Sequence, residues 1–355
     1  MSALLNAFDR QAALCRQPSP FSARVLARSR LWLEADATAH AELSAVHADP
    51  LAGAVSLRWL AGLHHLALRG HQPWAGLWPP AAGAVSDDTL DAAIANAWQT
   101  QQPALRSALS LPPQTNEVQR SAALLPGLLH VAAQTAAQTA LPLSLMEVGA
   151  SAGLNLWCDH YRHEHGNWAW GDSQSALTLR SEWIGPAPPQ PRLNITQRAG
   201  CDANPVDLSH PGEALRLLSF IWADQPERLA RLRAAQQVAV ACMAASGVRV
   251  QAMRGADFVR QQLQQRAPGQ ALVLMHSVVW QYIARTEQDD IRALMEAAGA
   301  AATAAAPLAW LRFEPPAPAE AVELRCRFWP GDADRLLARC HPHATHIEWL
   351  VGPAA

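Results

Sequence analysis

The stretch Leu145-Met-Glu-Val-Gly-Ala-Ser-Ala-Gly-Leu-Asn155 decides the fold. It begins as an apolar run, passes through a turn with two glycines and continues into a predicted helix. Gly149 and Gly153 permit a tight turn and a close approach of the backbone to a ligand. The first N–H groups of a following helix favour a carboxylate or phosphate. Glu147, at the end of the predicted strand, suits a cationic ligand group.

The sequence downstream of this turn alternates between short apolar runs and helical patterns. Strands are predicted at 141–148, 193–199, 248–253, 271–275 and 308–313, and helices at 214–243 and 286–298. Such alternation is typical of a parallel, doubly wound α/β sheet. Alternating runs at 321–328 and 346–351, joined by a predicted short helix at 333–340, indicate late strands at an antiparallel edge.

The N-terminal part of the chain has a different pattern. Residues 1–110 carry apolar side chains at helical spacing, which predicts a helical cap or substrate domain before an α/β domain at 111–355. Five tryptophans lie in the helical part, and we expect them to fill its own core rather than to line a site. They are Trp32, Trp59, Trp74, Trp78 and Trp98.

Composition excludes several function classes. The 355 residues carry a net charge of −2, so no electrostatic footprint for nucleic acid is present. Every basic residue is Arg, which excludes a Schiff-base lysine and a P-loop lysine. The six cysteines form no CxxC pair, and the His/Cys-rich segment 158–165 has no zinc spacing, so we predict no metal. Without a signal peptide or an 18-residue apolar run, we expect a cytoplasmic protein that enters no membrane.

The glycine turn admits a second interpretation. Gly149-Ala-Ser-Ala-Gly153 matches G-x-S-x-G, the nucleophile elbow of α/β-hydrolases. Ser151 would then be the nucleophile, and a histidine near the C-terminus would be its base, with His341, His343 and His346 as candidates. No HGGG-type oxyanion motif stands upstream, and the acid before Gly149 favours a charged cofactor. A third hypothesis is a non-catalytic protein that binds a nucleotide-like ligand.

The same stretch resembles the acidic-x-Gly-x-x-x-Gly signature of class I S-adenosylmethionine-dependent methyltransferases. The resemblance implies that Glu147 and the turn hold the methionyl part of the cofactor, that Asp202 holds its ribose and that Asp257 lies near its adenine. The cofactor-binding residues it implies are Glu147, Gly149, Ala150, Ser151, Gly153, Asn155, Asp202, Asn204 and Asp257. Asp202 follows Gly153 by 49 residues, where about 20 is usual in dinucleotide folds, so an insertion is expected at about 160–191.

The resemblance also implies which residues face the methyl acceptor, which we expect to be a small molecule. His276 would end the fourth strand and serve as a base, and Arg120 would bind an anionic group. Further candidates for substrate binding are Asn116, Glu117, Trp280 and Tyr282. Helix capping and core packing are the ordinary alternatives for all of these side chains.

Five blocks extend the similarity over nearly the whole chain. They are TNEVQRSAALLP at 115–126, GASAGLN at 149–155, RAGCDANP at 198–205, HSVVWQY at 276–282 and PLAWLR at 307–312. Together they are similar to a bacterial family catalogued as domain of unknown function 2332, which is grouped with Rossmann-like methyltransferases. The resemblance implies an α/β fold with a Rossmann-like, methyltransferase-type doubly wound sheet and an N-terminal helical domain.

Overall fold

The computed structural model describes residues 2–79, 85–136, 141–317, 321–331 and 333–352. The chain divides into two compact units. The helical unit contains residues 1–115 and 209–233, and the sheet unit contains residues 116–208 and 234–355. The sequence analysis placed the whole of 111–355 in one domain, whereas 209–233 lies in the helical unit. No helix among the described residues is long and apolar enough to cross a membrane.

The helical unit is built from eight helices of the described chain and the start of a ninth. They are α1 (Ala3–Cys15), α2 (Pro20–Ala35), α3 (Ala37–Ser44), α4 (Val55–Leu68), α5 (Trp74–Leu77), α6 (Asp87–Thr100), α7 (Gln102–Ser110), α9 (Pro211–Ser219) and the first part of α10 (Pro226–Ser246). Side chains of Ser2, Asp36 and Ser86 cap three of these helices by accepting backbone N–H groups. The sequence also predicts a loop at 76–88, and part of it lies outside the described residues.

Aromatic packing holds the core of the helical unit. Trp59 is fully buried, and its ring stacks on that of Trp32 at a centroid distance of 5.3 Å. Trp98 packs against both rings. Trp74 and Trp78 belong to the same buried cluster. The prediction that these tryptophans form the core of their own domain is therefore confirmed.

Hydrogen bonds tie the segment 209–233 into the helical unit. Asp224 Oδ2 accepts the Ser19 hydroxyl at 2.7 Å and the Phe21 N–H at 2.9 Å, at the start of α2. His64, buried in α4, has Nδ1 3.0 Å from the carbonyl oxygen of Ser219 at the end of α9. The N-terminal helices therefore depend on a piece of chain that comes about 100 residues later.

The sheet unit contains the strands, α8 (Ser121–Ala136), α11 (Gly255–Gln264), α12 (Arg285–Ala300) and three short 3₁₀ helices at Val118–Arg120, Leu154–His160 and Trp280–Tyr282. Its strands are β1 (Leu143–Val148), β2 (Arg162–His165), β3 (Trp168–Trp170), β4 (Thr178–Arg180), β5 (Glu182–Ile184), β6 (Ile195–Asp202), β7 (Val250–Ala252), β8 (Ala271–Ser277), β9 (Leu308–Glu314), β10 (Val322–Trp329), β11 (Ala333–Cys340) and β12 (His346–Trp349).

Nine described strands form one mixed sheet in the order β5-β12-β11-β10-β9-β8-β1-β6-β7. Its neighbours are mostly parallel: β7, β6, β1, β8 and β9 all run the same way, and β5 is parallel to β12. The other pairings, from β9 through β12, are antiparallel. The central strands β1 and β8 are buried along their whole length, which explains their continuous apolar sequences. A mixed α/β fold with a large, mostly parallel sheet is therefore established.

Three local predictions were wrong. Residues 333–340, predicted as a helix, form β11, because pairing with β10 overrides the helical preference of Leu, Ala and Arg. The predicted helix at 214–243 is two helices, α9 and α10, separated before Pro226. The helix predicted after the glycine turn is a kinked 3₁₀ helix. The small sheet β3-β2-β4 fills the connection from β1 to β6, where an insertion was predicted at about 160–191.

Candidate functional site

The turn after β1 has an unusual backbone. Gly149, Ser151 and Gly153 all have positive φ values, +73°, +52° and +75°. The N–H groups of Gly149 and Ala150 both donate to the carbonyl oxygen of Cys201 at 2.9 Å, which fastens the turn to the end of β6. The two glycines are therefore required by backbone conformation, since the left-handed region is unfavourable for other residues.

The space around the turn is filled by the protein itself. A Cβ atom at Gly149 would lie 2.4 Å from Cγ2 of Val279, and one at Gly153 would lie 3.0 Å from the side chain of Met243. The Ser151 residue is only 4% exposed. Close approach at these glycines is therefore made by neighbouring side chains, and Ser151 is buried beside them.

Asp202, at the end of β6, organises two loops. Its Oδ2 accepts the Ser151 N–H at 2.9 Å, and its Oδ1 accepts the Asn204 N–H at 2.8 Å. The carboxylate therefore joins the turn after β1 to the chain after β6. Asn204 itself is exposed.

Glu147 is a buried carboxyl group directly before the turn. The residue is 1% exposed, and burial raises its pKa to about 8, against the opposing effect of a hydrogen bond with Asn155. Oε2 has no hydrogen-bond partner among the described residues. Asn155 is in turn positioned by the Ser121 hydroxyl, which donates to its Oδ1 at 2.7 Å. At neutral pH the group is mostly protonated, and it is therefore a potential donor rather than a fixed negative charge.

The polar residues before α8 make structural hydrogen bonds. Asn116 Oδ1 accepts the Leu154 N–H at 3.0 Å, and Glu117 Oε1 accepts the Gln119 N–H at 3.2 Å. Both side chains are buried. Glu117 thus caps the 3₁₀ helix before α8, and Asn116 accepts the first N–H group of the 3₁₀ helix after the glycine turn.

Arg120 contacts two backbone segments. Its Nη1 donates to the carbonyl oxygen of Ser277 at 3.0 Å, and its Nε donates to that of Pro342 at 3.2 Å. The guanidinium thus connects the end of β8 to the loop between β11 and β12.

His276 forms the most distinctive polar pair of the sheet unit. Its Nδ1 lies 2.6 Å from Glu314 Oε1, and the His276 residue is 1% exposed. The same oxygen accepts the N–H groups of Val279 at 3.1 Å and Trp280 at 3.3 Å. Because backbone N–H groups can only donate, Oε1 is an acceptor and Nδ1 carries the ring proton. The Nε2 atom of the ring has no partner within the described residues.

A cavity of about 320 Å³ adjoins this pair. Its walls include His276, Trp280, Trp310, Arg312, Glu314 and Arg325. The Trp280 ring stacks on the His276 ring at 4.8 Å and meets that of Trp310 edge-on at 5.8 Å. A size near 300 Å³, aromatic walls and a few convergent polar groups are typical of a small-molecule site.

Two predicted site residues, Asp257 and Tyr282, lie apart from these features. Asp257 is exposed on α11 and pairs with Arg260 at 2.7 Å. The side chain of Tyr282 is exposed, with the residue at 77%. Glu147, Asp202 and Asn155 do gather at the turn, and His276 and Trp280 gather at the cavity. Within the described part of the chain, no group of three or more metal-ligating side chains could hold a metal ion.

The sequence analysis missed all lining residues of the cavity other than His276 and Trp280. Glu314, Trp310 and Arg312 lie on β9, and Arg325 lies on β10. A signal was present: charged residues recur at alternate positions of these two strands, at Arg312 and Glu314 and again at Glu323 and Arg325. Alternation of charges on a strand covered by other elements indicates a polar site, because a covered face is otherwise apolar.

Comparison with known proteins places the chain in a family. A search of curated proteins found no match, and neither did a search of solved structures. A family model described as an uncharacterised protein conserved in bacteria matches residues 5–349, which is nearly the whole chain. The five sequence blocks and both the glycine turn and the cavity fall inside that match. The chain therefore belongs to the bacterial family DUF2332.

Proposed function

We propose that the protein is an enzyme in which His276 acts as a general base on a small-molecule substrate. One observation carries the proposal: Nδ1 of His276 is held by Glu314 at 2.6 Å, and its buried Nε2 has no partner among the described residues beside a cavity. A histidine oriented by a carboxylate is the arrangement that proton-transferring enzymes use.

The proposed proton transfer runs from the substrate to Nε2 of His276. The O–H or N–H bond of the substrate breaks, its proton forms a bond with Nε2, and the electron pair stays on the substrate oxygen or nitrogen. Glu314 stabilises the imidazolium ion and fixes the ring tautomer. Stacking on Trp280 at 4.8 Å keeps the ring plane constant during the transfer.

A turnover screen with matched variants tests this function. The purified protein is incubated with small-molecule mixtures, with and without S-adenosylmethionine, and products are followed by mass spectrometry. We expect His276→Gln and Glu314→Gln each to lower turnover at least 100-fold, within the usual range for a general base. His346→Gln is the control, because His346 forms an exposed pair with Glu182 at 3.2 Å. Turnover that both cavity variants retain would reject the proposal.

Methyl transfer from S-adenosylmethionine is a second candidate, favoured by the strand order. Counted along the chain, the five parallel strands β1, β6, β7, β8 and β9 lie in the order 3-2-1-4-5, which is the start of the order in doubly wound nucleotide-binding sheets. Ligands of such sheets bind where the order reverses, at the carboxyl ends of β1 and β8. Glu147 and Asp202 end two neighbouring strands there and would hold the cofactor. Bound S-adenosylmethionine would supply an electrophilic methyl group.

Two contacts at the glycine turn weigh against this candidate. Val279 fills the space at Gly149, and both oxygens of Asp202 already accept backbone N–H groups. Calorimetric titration with S-adenosylmethionine and S-adenosylhomocysteine tests the candidate directly. Micromolar binding that is lost in Glu147→Gln and Asp202→Asn but kept in the exposed control Asp87→Asn would support it. Absence of binding to the folded protein would reject methyl transfer and leave the role of His276 open to the turnover screen.

A further inference from the structure

A row of polar side chains crosses three strands beside the cavity. His276 of β8 is the register partner of Arg312 of β9, and Arg312 is the register partner of Arg325 of β10. Glu314 and Glu323 form the next row in the same way. Register partners in neighbouring strands project from the same face of a sheet. The imidazole, two guanidinium groups and two carboxyl groups therefore share one face, and all five side chains line the cavity.

The two guanidinium groups are held in place by the protein. Arg312 Nη2 donates to Asp334 at 2.5 Å, and its guanidinium lies 5.0 Å from the centre of the Trp310 ring. Arg325 Nη1 donates to Glu323 at 2.9 Å. A guanidinium fixed in this way loses little conformational entropy on binding a planar anion and offers two parallel N–H groups to it.

Unmet hydrogen-bonding capacity remains in the cavity wall. Within the described chain, Nε of Arg312, Oε2 of Glu314 and Nε2 of His276 are buried and have no partner. Buried polar atoms without partners are uncommon, and a bound polar ligand is one explanation for them. The His276 residue is 1% exposed, so its Nε2 is not satisfied by open solvent. The wall thus offers two atoms to a ligand: Nε2 of His276 and the Nε–H donor of Arg312.

Fixed donors and shape indicate the class of ligand. The lining holds three arginines and two glutamates, and Asp334 and Asp289, outside the lining, pair with Arg312 and Arg292. Recognition of an anion would therefore rest on the oriented N–H groups of Arg312 and Arg325 and not on a net charge. The edge-on pair Trp280 and Trp310 favours a flat, apolar body between the polar ends.

We propose that the cavity binds a single-ring hydroxycarboxylic acid, with its carboxylate on Arg312 and Arg325 and its hydroxyl at His276. The assignment rests on the proposed function, because the hydroxyl is the group whose proton His276 takes. It adds the substrate class: a planar monoanion rather than a phosphate ester or a cation.

Binding of 4-hydroxybenzoate, measured by calorimetry and by quenching of tryptophan fluorescence, tests the assignment. We expect saturable binding that weakens at least tenfold in Arg312→Gln and in Arg325→Gln, and that is unchanged in Arg106→Gln. Arg106 pairs with Glu42 on the surface of the helical unit at 2.8 Å. The double variant Arg312→Gln/Asp334→Asn removes both members of the ion pair. A loss of binding in this variant is therefore not caused by an Asp334 carboxylate left without its partner. Circular dichroism and thermal melting confirm that each variant folds.

Benzoate, which lacks the hydroxyl, separates the two proposals. Suppose that the arginine variants bind neither acid and that His276→Gln keeps the preference of the wild type for 4-hydroxybenzoate over benzoate. The ligand class is then supported, and the proposed role of His276 is rejected. If the wild-type protein binds neither acid, if the arginine variants bind them normally, or if inorganic phosphate binds more tightly than benzoate, the ligand class is overturned.

Discussion

Burial controls the chemistry of Glu147. The carboxyl group is 1% exposed, and its pKa is raised to about 8 chiefly by desolvation. An unfolded chain releases this proton near pH 4.5, whereas the folded protein keeps it to about pH 8. Between these values the folded state binds more protons, so the free energy of unfolding falls as pH rises. Such a residue is retained for a hydrogen bond or a ligand contact rather than for stability.

The variant Glu147→Gln tests this at residue scale. Gln has nearly the shape of Glu but no proton that titrates. The free energy of unfolding of the variant, minus that of the wild type, should therefore increase from pH 5 to pH 8. The gain should reach roughly 3 to 5 kcal/mol at pH 8. Urea unfolding across this pH range is the measurement. Glu348→Gln, at a half-exposed position, is the control. A gain that is independent of pH would show that Glu147 ionises normally.

Gly149 and Gly247 form a natural comparison at the same scale. Their φ values are +73° and +75°, but a Cβ at Gly247 would meet no described atom within 4 Å, whereas one at Gly149 meets Val279 at 2.4 Å. Gly247→Ala should cost about 1 to 2 kcal/mol through backbone strain alone. Gly149→Ala should cost at least roughly 2 kcal/mol more, because overpacking is added. Equal losses in chemical denaturation would mean that Val279 moves aside easily.

At the scale of elements, packing decides what sequence patterns can predict. β1 and β8 were predictable because a strand buried on both faces carries an unbroken apolar run. β11 was not, because its residues Ala333–Cys340 suit a helix and become a strand only by pairing with β10.

The candidate site shows the same division. The glycine turn is local in sequence, so its position and the adjacent Glu147 could be predicted from the residues alone. The cavity depends on the register of β8, β9 and β10, which brings His276, Arg312 and Arg325 side by side from segments up to about 50 residues apart. The register between distant strands is set by tertiary packing, and the local patterns of a single sequence do not specify it.

The contact of α12 with β10 gives a prediction for an element. Gly299 lies under Trp329 of β10, where an added Cβ would come within 2.4 Å of the indole ring. Gly299→Ala should therefore push α12 away from the sheet and lower the free energy of unfolding by roughly 1 to 3 kcal/mol. Gly212→Ala in α9 should raise it by up to about 1 kcal/mol, because helix propensity improves and no described atom lies within 4 Å. Thermal denaturation of both variants measures the difference, and the same sign for both would contradict the packing argument.

At the scale of the molecule, buried histidines make the fold sensitive to acid. Burial lowers the pKa of His64, His130 and His165 to about 4 and that of His163 to about 3. These histidines become protonated near pH 6.5 in the unfolded chain but stay neutral to lower pH in the folded chain. The free energy of unfolding therefore falls as pH decreases from about 6.5 toward 4. At pH 5 each imidazole should cost roughly 2 kcal/mol.

The four histidines are unevenly divided between the units. His64 lies in the helical unit, and the other three lie in the sheet unit. Hydrogen exchange at pH 7 and pH 5, corrected for intrinsic exchange rates, should therefore show a larger loss of protection in 116–208 and 234–355 than in 1–115. Equal losses in both units would refute this account of acid sensitivity.

The discontinuity of the helical unit also has a consequence for biosynthesis. The bonds from Asp224 to Ser19 and Phe21, and from Ser219 to His64, cannot form until residue 224 has left the ribosome. At about 5 to 20 residues per second, the first seven helices wait roughly 5 to 20 s for the segment that completes their core. During that interval α2 and α4 lack their contacts with residues 209–233, and we expect slower translation between codons 115 and 233 to prolong the time in which they lack them.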